Sequence, residues 1–341
     1  MDKIRLGRTN LMVSRSGFGA LPIQRISFAE AKLILRKAYD NEINFFDTAR
    51  YYTDSEEKLG YALSDVRHNI IIATKSAATD KKGVLRDLET SLRNLKTDYI
   101  DILQLHNPKD IPDPHDSESS YAALAEARQK GMIRFIGFTN HNIKTAIQAA
   151  ESDQYDTIQF PLNSLSADED LKIIDVCKQR GLGVIAMKGL SGGLITKAAT
   201  TFAFLRQYDN VVPIWGIQKA SELEEFIALE ANPPVLDEAM WNMIQHDRTE
   251  LAGDFCRGCG YCLPCPADIE IPTQARISLL LRRAPYQPFL ADGFREKMDR
   301  INRCIECGHC KSKCPYALDT PNLLKRELKN YYDFYEIHKL D

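Results

Sequence analysis

Eight short apolar runs, each followed by a stretch of helical character, limit the architectures open to the first two-thirds of the chain. The runs are SGFGAL around Phe18, INFFDTA from Ile43, NIIIATK from Asn69 and YIDILQLH from Tyr99. They continue with IRFIGFTN from Ile133, DTIQFPLN from Asp156, GVIAMKGL from Gly183 and VVPIWGI from Val211. Between them lie amphipathic segments such as FAEAKLILRKAYDN (Phe28 to Asn41), KGVLRDLETSLRNLK (Lys82 to Lys96), SYAALAEARQKG (Ser120 to Gly131) and ASELEEFIALEAN (Ala220 to Asn232). Several of these end in glycine or asparagine, residues that stop helices. Eight strands alternating with eight helices in this length give a parallel (β/α)8 TIM barrel, an α/β fold. The alternative is a doubly wound open sheet. That fold normally carries G-x-G-x-x-G after its first strand, and no such loop stands there.

After NPPVLDE (Asn232 to Glu238) the pattern changes, so the expected domains are a barrel over 1–235 and a smaller, mainly helical unit over 236–341. A helical EAMWNMIQHDRTELAG leads into the second unit. Eight of the nine cysteines fall there, in CRGCGYCLPCP (Cys256, Cys259, Cys262, Cys265) and in CIECGHCKSKCP (Cys304, Cys307, Cys310, Cys314). The second run has the C-x2-C-x2-C-x3-C-P spacing of bacterial ferredoxins. The first departs by one residue before its last cysteine, although Pro266 follows in place. Zinc is the alternative ligand, but it takes four cysteines as two separated C-x2-C pairs, and these runs are too tight for that. QARISLLLRRAPYQPF and GFREKMDRINR, between the runs, read as two helices split by prolines. The aromatic tail ELKNYYDFYEIHKLD is expected to pack back on the protein. Cys177, in an apolar-periodic helix, reads as a buried thiol, and His309 as a bystander in the second run.

Composition removes several classes of function. A net charge of −3 over 341 residues, with both signs mixed, leaves no basic footprint for nucleic acid. No apolar run approaches a membrane span, and MDKIRLGRTN lacks the apolar core of a signal peptide, so the expected location is cytoplasmic. In a reducing compartment, crowded cysteines point to metal rather than disulfides.

Catalytic groups in such barrels sit where strands end. The polar residues at those ends are Asp47 after NFF, Lys75 after IIIAT and His106 after DILQL, with Tyr52 five residues beyond Asp47. Singly, each has a plain structural explanation: a helix cap, a surface lysine, a hydrogen-bonded histidine. Together, from consecutive junctions, they converge on one mouth.

With FDTARYYTDSEEKLG (Phe46 to Gly60), ATK (Ala73 to Lys75), LQLHN (Leu103 to Asn107), GFTN (Gly137 to Asn140), QFPLN (Gln159 to Asn163) and GIQKASELEEF (Gly216 to Phe226), the sequence resembles the aldo-keto reductase family over residues 1–232. The resemblance implies that Tyr52 is the general acid, protonating a carbonyl oxygen as hydride reaches the carbon. Lys75, held by Asp47, would lower the tyrosine's pKa from about 10, and His106 would orient the carbonyl. It further implies that Thr139, Asn140 and Gln159 hold a nicotinamide carboxamide. The glycine-rich loops with Gly189, Gly192 and Gly193, and with Gly216, Gln218 and Lys219, would approach the cofactor phosphates.

Two departures bear on the cofactor. Met187, followed by Lys188, stands where the family usually stacks an aromatic on the nicotinamide. Near Lys219, Glu222 would repel a 2′-phosphate and tolerate a bare ribose, which leaves NADH and NADPH both open. The pairing of modules resembles the branch of the family with a C-terminal ferredoxin-like domain. By that resemblance Cys256, Cys259, Cys262 and Cys314 hold one 4Fe–4S cluster, and Cys304, Cys307, Cys310 and Cys265 the other.

The expected protein is therefore an oxidoreductase that interconverts a small-molecule carbonyl and an alcohol with NAD(P)H. Its two clusters either exchange electrons with a redox protein partner or serve as structural staples. No flavin motif is present to split an electron pair. Two further readings stand beside it: a redox sensor that binds nicotinamide as a ligand, and an electron-transfer subunit with a vestigial barrel. The proline-rich, acidic NPKDIPDPHDSESS (Asn107 to Ser120) is either a substrate-side wall or a solvated connection. The residues carry no signal for substrate, direction of reaction or oligomeric state.

Overall fold

A computed structural model describes residues 1–251, 255–283 and 286–338. Residues 252–254, 284–285 and 339–341 lie outside these, and with them the end of the expected helix EAMWNMIQHDRTELAG, two residues within QARISLLLRRAPYQPF and the end of the tail. The chain divides into two compact units, Met1–Gly189 with Ala198–Met240, and Leu190–Lys197 with Trp241–Asp341.

The first unit opens with a hairpin that the sequence reading missed, β1 (Lys3–Arg5) antiparallel to β2 (Met12–Ser14). The eight apolar runs then supply β3 (Gly17–Gly19), β4 (Phe45–Asp47), β5 (Ile71–Ser76), β6 (Ile100–His106), β7 (Ile133–Thr139), β8 (Thr157–Pro161), β9 (Gly183–Met187) and β10 (Val211–Gly216). These close into a parallel barrel in the order β10-β3-β4-β5-β6-β7-β8-β9, as expected. The helices between and after them are α1 (Phe28–Asp40), α2 (Ser55–Leu63), α3 (Lys81–Leu95), α4 (Ser120–Gln129), α5 (Ile143–Glu151), α6 (Asp168–Gln179), α7 (Ala198–Arg206) and α8 (Ala220–Ala231). The starts of α1, α3, α4 and α5 are set by short polar caps. Ser27 and Glu30 form a reciprocal capping box on α1, and Asp80, Ser119 and Asn142 accept first-turn N–H groups of α3, α4 and α5.

The hairpin decides which mouth stays open. Leu6, Leu11 and Val13 join Phe45, Ile71, Val212 and neighbouring strand-start residues in one buried cluster. That plugs the N-terminal end with apolar side chains and leaves polar chemistry to the C-terminal end. Cys177 is fully buried on α6, as expected, and burial pushes its thiol up to about 12.

Close helix packing explains one glycine of the FDTARYYTDSEEKLG stretch. A Cβ on Gly60, in α2, would lie 2.1 Å from the Asn94 carbonyl oxygen and 2.8 Å from the Leu95 carbonyl carbon of α3. Backbone cannot yield as a side chain does. Gly60→Ala should therefore cost about 3 kcal/mol, near the upper end of overpacking effects, seen as a lower urea midpoint at unchanged slope. An unchanged midpoint would show that α2 and α3 can separate freely.

In the second unit, α9 (Glu238–Glu250), α10 (Ile271–Gln274), α11 (Ile277–Arg283), α12 (Gln287–Leu290), α13 (Asp292–Asp299), α14 (His309–Ser312) and α15 (Thr320–His338) frame the cysteine runs, with no strand among the described residues. The expected helix from Gln274 is in fact broken: Gln274 ends α10, Ala275 and Arg276 interrupt the helix, and the stretch continues as α11 and then α12. The tail packs back as α15, with Tyr331 fully buried and its hydroxyl donating to the Phe289 carbonyl at 2.9 Å. Glu327 of α15 accepts from the Ser278 N–H (2.8 Å) and hydroxyl (2.6 Å), tying α15 to α11. Among the described residues no helix is long and apolar enough to cross a membrane.

Candidate active site and cysteine unit

Strand register brings the polar residues of the barrel mouth together. Asp47 ends β4 opposite Ala73, Lys75 lies opposite Gln104, His106 opposite Thr139, and Thr139 opposite Gln159. The Lys75 ammonium, 1% exposed, donates to Asp47 Oδ1 at 2.5 Å and to the Thr48 carbonyl at 2.6 Å. Burial pushes the lysine down, and the Asp47 charge opposes that shift. Burial likewise pushes the Asp47 carboxyl up, against Lys75, Gln159 and Gln104.

Tyr52 sits above this pair. Lys75 Nζ is 5.5 Å from its ring centre, and the His106 ring meets it edge-on at 5.8 Å and 83°. Its loop is tied down locally. The Tyr52 N–H donates to the Ala49 carbonyl (3.0 Å), the Ser55 N–H to the Tyr52 carbonyl (2.8 Å), and the Ser55 hydroxyl to the Ala20 carbonyl (2.8 Å). Burial, and then the Lys75 charge, push His106 down to about 3. A neutral imidazole keeps one N–H to give and one nitrogen to accept with.

The expected cofactor residues differ in how they are engaged. Gln159 Nε2 reaches Asp47 Oδ1 only at 3.5 Å, a long bond that leaves its N–H able to serve an incoming carboxamide oxygen. The Thr139 hydroxyl faces Met187 Sδ at 3.9 Å, so both border the same space. Asn140 is already committed to backbone, donating to the Pro108 carbonyl (2.8 Å) and accepting from the Asn142 N–H (2.8 Å). Lys188 adopts a left-handed backbone (φ +58°), and its carbonyl accepts from Asn163. At Gly189 a side chain would strike the Trp215 ring at 2.4 Å, so packing alone already requires glycine there. Gly216 ends β10, and the N–H groups of Gln218 and Lys219 both donate to Glu222 Oε2, at 2.8 and 3.0 Å.

Gly192 and Gly193 belong to the second unit, with φ +67° and +90°. There the Arg276 guanidinium donates to the Gly192 carbonyl at 2.9 Å and fills the space that side chains on Gly192 and Gly258 would need.

The cysteines sort by which thiols press on which. Cys256, raised first by burial, is raised further by Cys259 and Cys314, while the Gly258 N–H at 3.3 Å and Arg276 pull it down. Cys262, pushed up to about 12 by burial, feels Cys256, Cys259 and then Cys310. Cys310, also raised by burial, feels Cys304 and Cys265. One cavity has Cys265, Cys304, Cys307 and Cys310 together in its wall, with Cys262. Among the described residues no three histidine, cysteine or carboxylate groups close around a single point as one ion requires. Support for clusters therefore rests on spacing and on the nearness of thiols from both runs, Cys256 to Cys314 and Cys310 to Cys265, with Cys262 bordering both groups, and not on a preformed cage. Left-handed Gly258 and Gly260 bend the first run around its thiols. His309 begins the short helix α14.

Three groups escaped the sequence reading. Gln104 lies inside an apolar run, but two residues before His106, and so on the same strand face. His141 follows Asn140 directly, is 6% exposed, and is pushed well down by burial, then by Lys188 and His106. Arg276 sits in a helix break, where the sequence offered only a helical pattern.

The family model described as Aldo/keto reductase family matches residues 15–203, and that of a 4Fe-4S dicluster domain matches residues 255–319. L-galactose dehydrogenase of Arabidopsis thaliana is 31% identical over 220 residues, 58% of this chain and 69% of that protein. Aldo-keto reductase AKR11C1 from Bacillus halodurans, in its holo form, superposes with a TM-score of 0.65 at 22% identity, over 72% of this chain and 96% of that one. An aldo-keto reductase from Klebsiella pneumoniae in complex with NADPH gives 0.63 at 22% identity, over 72% and 94%. At that identity the two structures speak for the fold alone.

Proposed function

Because the chain belongs to the aldo/keto reductase family, we propose that its barrel interconverts a small carbonyl compound and the corresponding alcohol with a nicotinamide cofactor, and that its cysteine unit holds two 4Fe–4S clusters. One observation carries the reading: a buried Lys75–Asp47 ion pair lies beneath Tyr52, with His106 edge-on to the same ring. When bound, the nicotinamide supplies a hydride and the clusters supply single electrons.

The remaining work falls to this chain's own groups. Tyr52 holds the proton that a carbonyl oxygen takes up on reduction. A phenol releases it readily only when a cation favours the phenolate, and Lys75 is that cation. Asp47 keeps Lys75 oriented with its charge partly balanced. Neutral His106 donates an N–H towards the same oxygen and fixes its direction. Thr139, Gln159 and Met187 border the space for the nicotinamide ring. The cysteine sets Cys256, Cys259, Cys262, Cys314 and Cys265, Cys304, Cys307, Cys310 are the proposed cluster ligands. Cys307 is exposed, which supports electron exchange with an outside redox protein rather than a purely structural role.

NADH is the preferred cofactor in this proposal. The Glu222 carboxylate already accepts both N–H groups at the start of α8, where a 2′-phosphate would have to displace a like charge. Anaerobic titration of the cluster-loaded protein with each cofactor, followed by nicotinamide fluorescence, should give a Kd for NADH at least about ten-fold below that for NADPH, with Glu222→Gln narrowing the gap. Equal affinities would remove the role assigned to Glu222. Binding of neither cofactor would remove the enzymatic reading itself.

A further inference from the structure

Gln104 occupies a place where barrels normally put a branched apolar side chain. It is fully buried on β6, and its one amide nitrogen serves two partners. It donates to Asp47 Oδ2 at 3.2 Å and to Gln159 Oε1 at 2.8 Å. Both hydrogens of the amide are thereby used. Gln104 Oε1 is buried with no hydrogen-bond partner, an arrangement that destabilises the fold unless the rest of the amide is needed there. Flipping the amide would not help, because that oxygen would then face the Asp47 carboxylate and the Gln159 carbonyl. The orientation is set by the two acceptors.

Room for this side chain is made by the next strand. Gly137 of β7 lies directly opposite Gln104, and a Cβ there would come within 2.7 Å of Gln104 Cγ. The same Cβ would lie 2.6 Å from the Thr157 hydroxyl, so Gly137 serves the packing of both side chains. What sets Gln104 apart from an apolar side chain here is its pair of engaged N–H groups.

We propose that Gln104 is a positioning residue that joins the acid–base group to the cofactor site: one amide holds Asp47 as the partner of Lys75 and fixes which end of the Gln159 amide faces the nicotinamide. Through Asp47 it keeps Lys75 charged beneath Tyr52. Through Gln159 it leaves Nε2, a donor, turned towards a carboxamide oxygen. Without it, nothing on β6 opposes transfer of the Lys75 proton to the desolvated Asp47, and the Gln159 amide is free to turn. Cofactor recognition and proton readiness then fail together. The inference rests on the proposed nicotinamide chemistry of the barrel.

The test is Gln104→Met, which keeps length and volume and removes both N–H groups, made in the full cluster-loaded chain. NADH affinity is read by fluorescence. Turnover is followed from pH 5 to 10 with pyridine-3-carbaldehyde, an activated aldehyde without a group that accepts single electrons readily. NADH should bind about five- to ten-fold more weakly. The alkaline limb of reduction, where Tyr52 loses its proton, should move to higher pH, since the phenolate has lost its cation. No acid limb from His106 is expected in either protein, its shift to about 3 keeping it neutral throughout this range. Unchanged NADH affinity, with or without a measurable pH profile, overturns the inference. Wild-type protein that binds no nicotinamide overturns the underlying function instead. Should Gln104→Met not fold, Gly137→Ala keeps both N–H groups but displaces them, and must weaken NADH in the same direction for the inference to stand.

Discussion

Tyr52→Phe should lower the rate of carbonyl reduction by about 10³-fold, within the range of general acid catalysis, while NADH affinity changes by less than about two-fold. The substitution removes one hydroxyl and little else. Phenylalanine keeps the edge-on contact with His106 at 5.8 Å and the Lys75 ammonium 5.5 Å from the ring centre. The loop bonds that carry the residue are backbone bonds from Tyr52 itself and from Ser55, so they survive as well. What is lost is the proton for the carbonyl oxygen, with only His106 left to polarise it. Single-turnover oxidation of bound NADH by an aldehyde is the measurement. If the barrel is a ligand-binding module, the wild type has no turnover to lose; a variant as fast as the wild type would move the acid elsewhere.

Cys256→Ser should remove one cluster and leave the other. Iron should fall from about eight to about four per chain, since each cubane holds four. Cys314→Ser, although distant in sequence, should delete the same electron paramagnetic resonance signal after dithionite reduction, because Cys256 and Cys314 press on each other in one group. Cys265→Ser and Cys304→Ser should delete the other signal, both lying near Cys310. Cys177→Ser is the control. That thiol is buried on α6 and held protonated, and its loss should leave iron unchanged. Between α9 and α15 the unit is built of short helices, so removing a ligand should also lower its resistance to proteolysis. Wild-type iron near four would reduce the proposal to a single cluster. Loss of different signals from Cys256→Ser and Cys314→Ser would break the cross-run pairing.

Much of the barrel was legible because each strand is a contiguous apolar run, and parallel strands buried on both faces must be. The hairpin was not. β1 and β2 have three residues each, too short for a period of two to emerge, and their apolar neighbours act as a plug and not as a sheet face. Asp47, Lys75 and His106 stood out as polar residues at strand ends, and the structure brings them, with Tyr52, to one mouth. Gln104 was hidden by the same criterion, since it lies within the strand and not at its end. The break between α10 and α11 was hidden because Arg276 continues the helical pattern, while its guanidinium is drawn to the Gly192 carbonyl. Glycines proved the least transparent. Gly60 and Gly189 sit where backbone or an indole ring approaches, and only the fold reveals what approaches.

The most direct test of the central claim is the fate of a label. Cluster-loaded protein is given NADH deuterated at the transferring C4 position, under anaerobic conditions, with a panel of aldehydes and ketones, and the alcohols are read by mass spectrometry. A hydride enzyme built on Tyr52, Lys75, Asp47 and His106 places one deuterium on the carbinol carbon of at least one product, and with Tyr52→Phe that labelled alcohol forms about 10³-fold more slowly. Alcohol formed without the label, its hydrogen drawn from water, would mean that electrons leave the cofactor singly and that the barrel's acid site is not where reduction occurs.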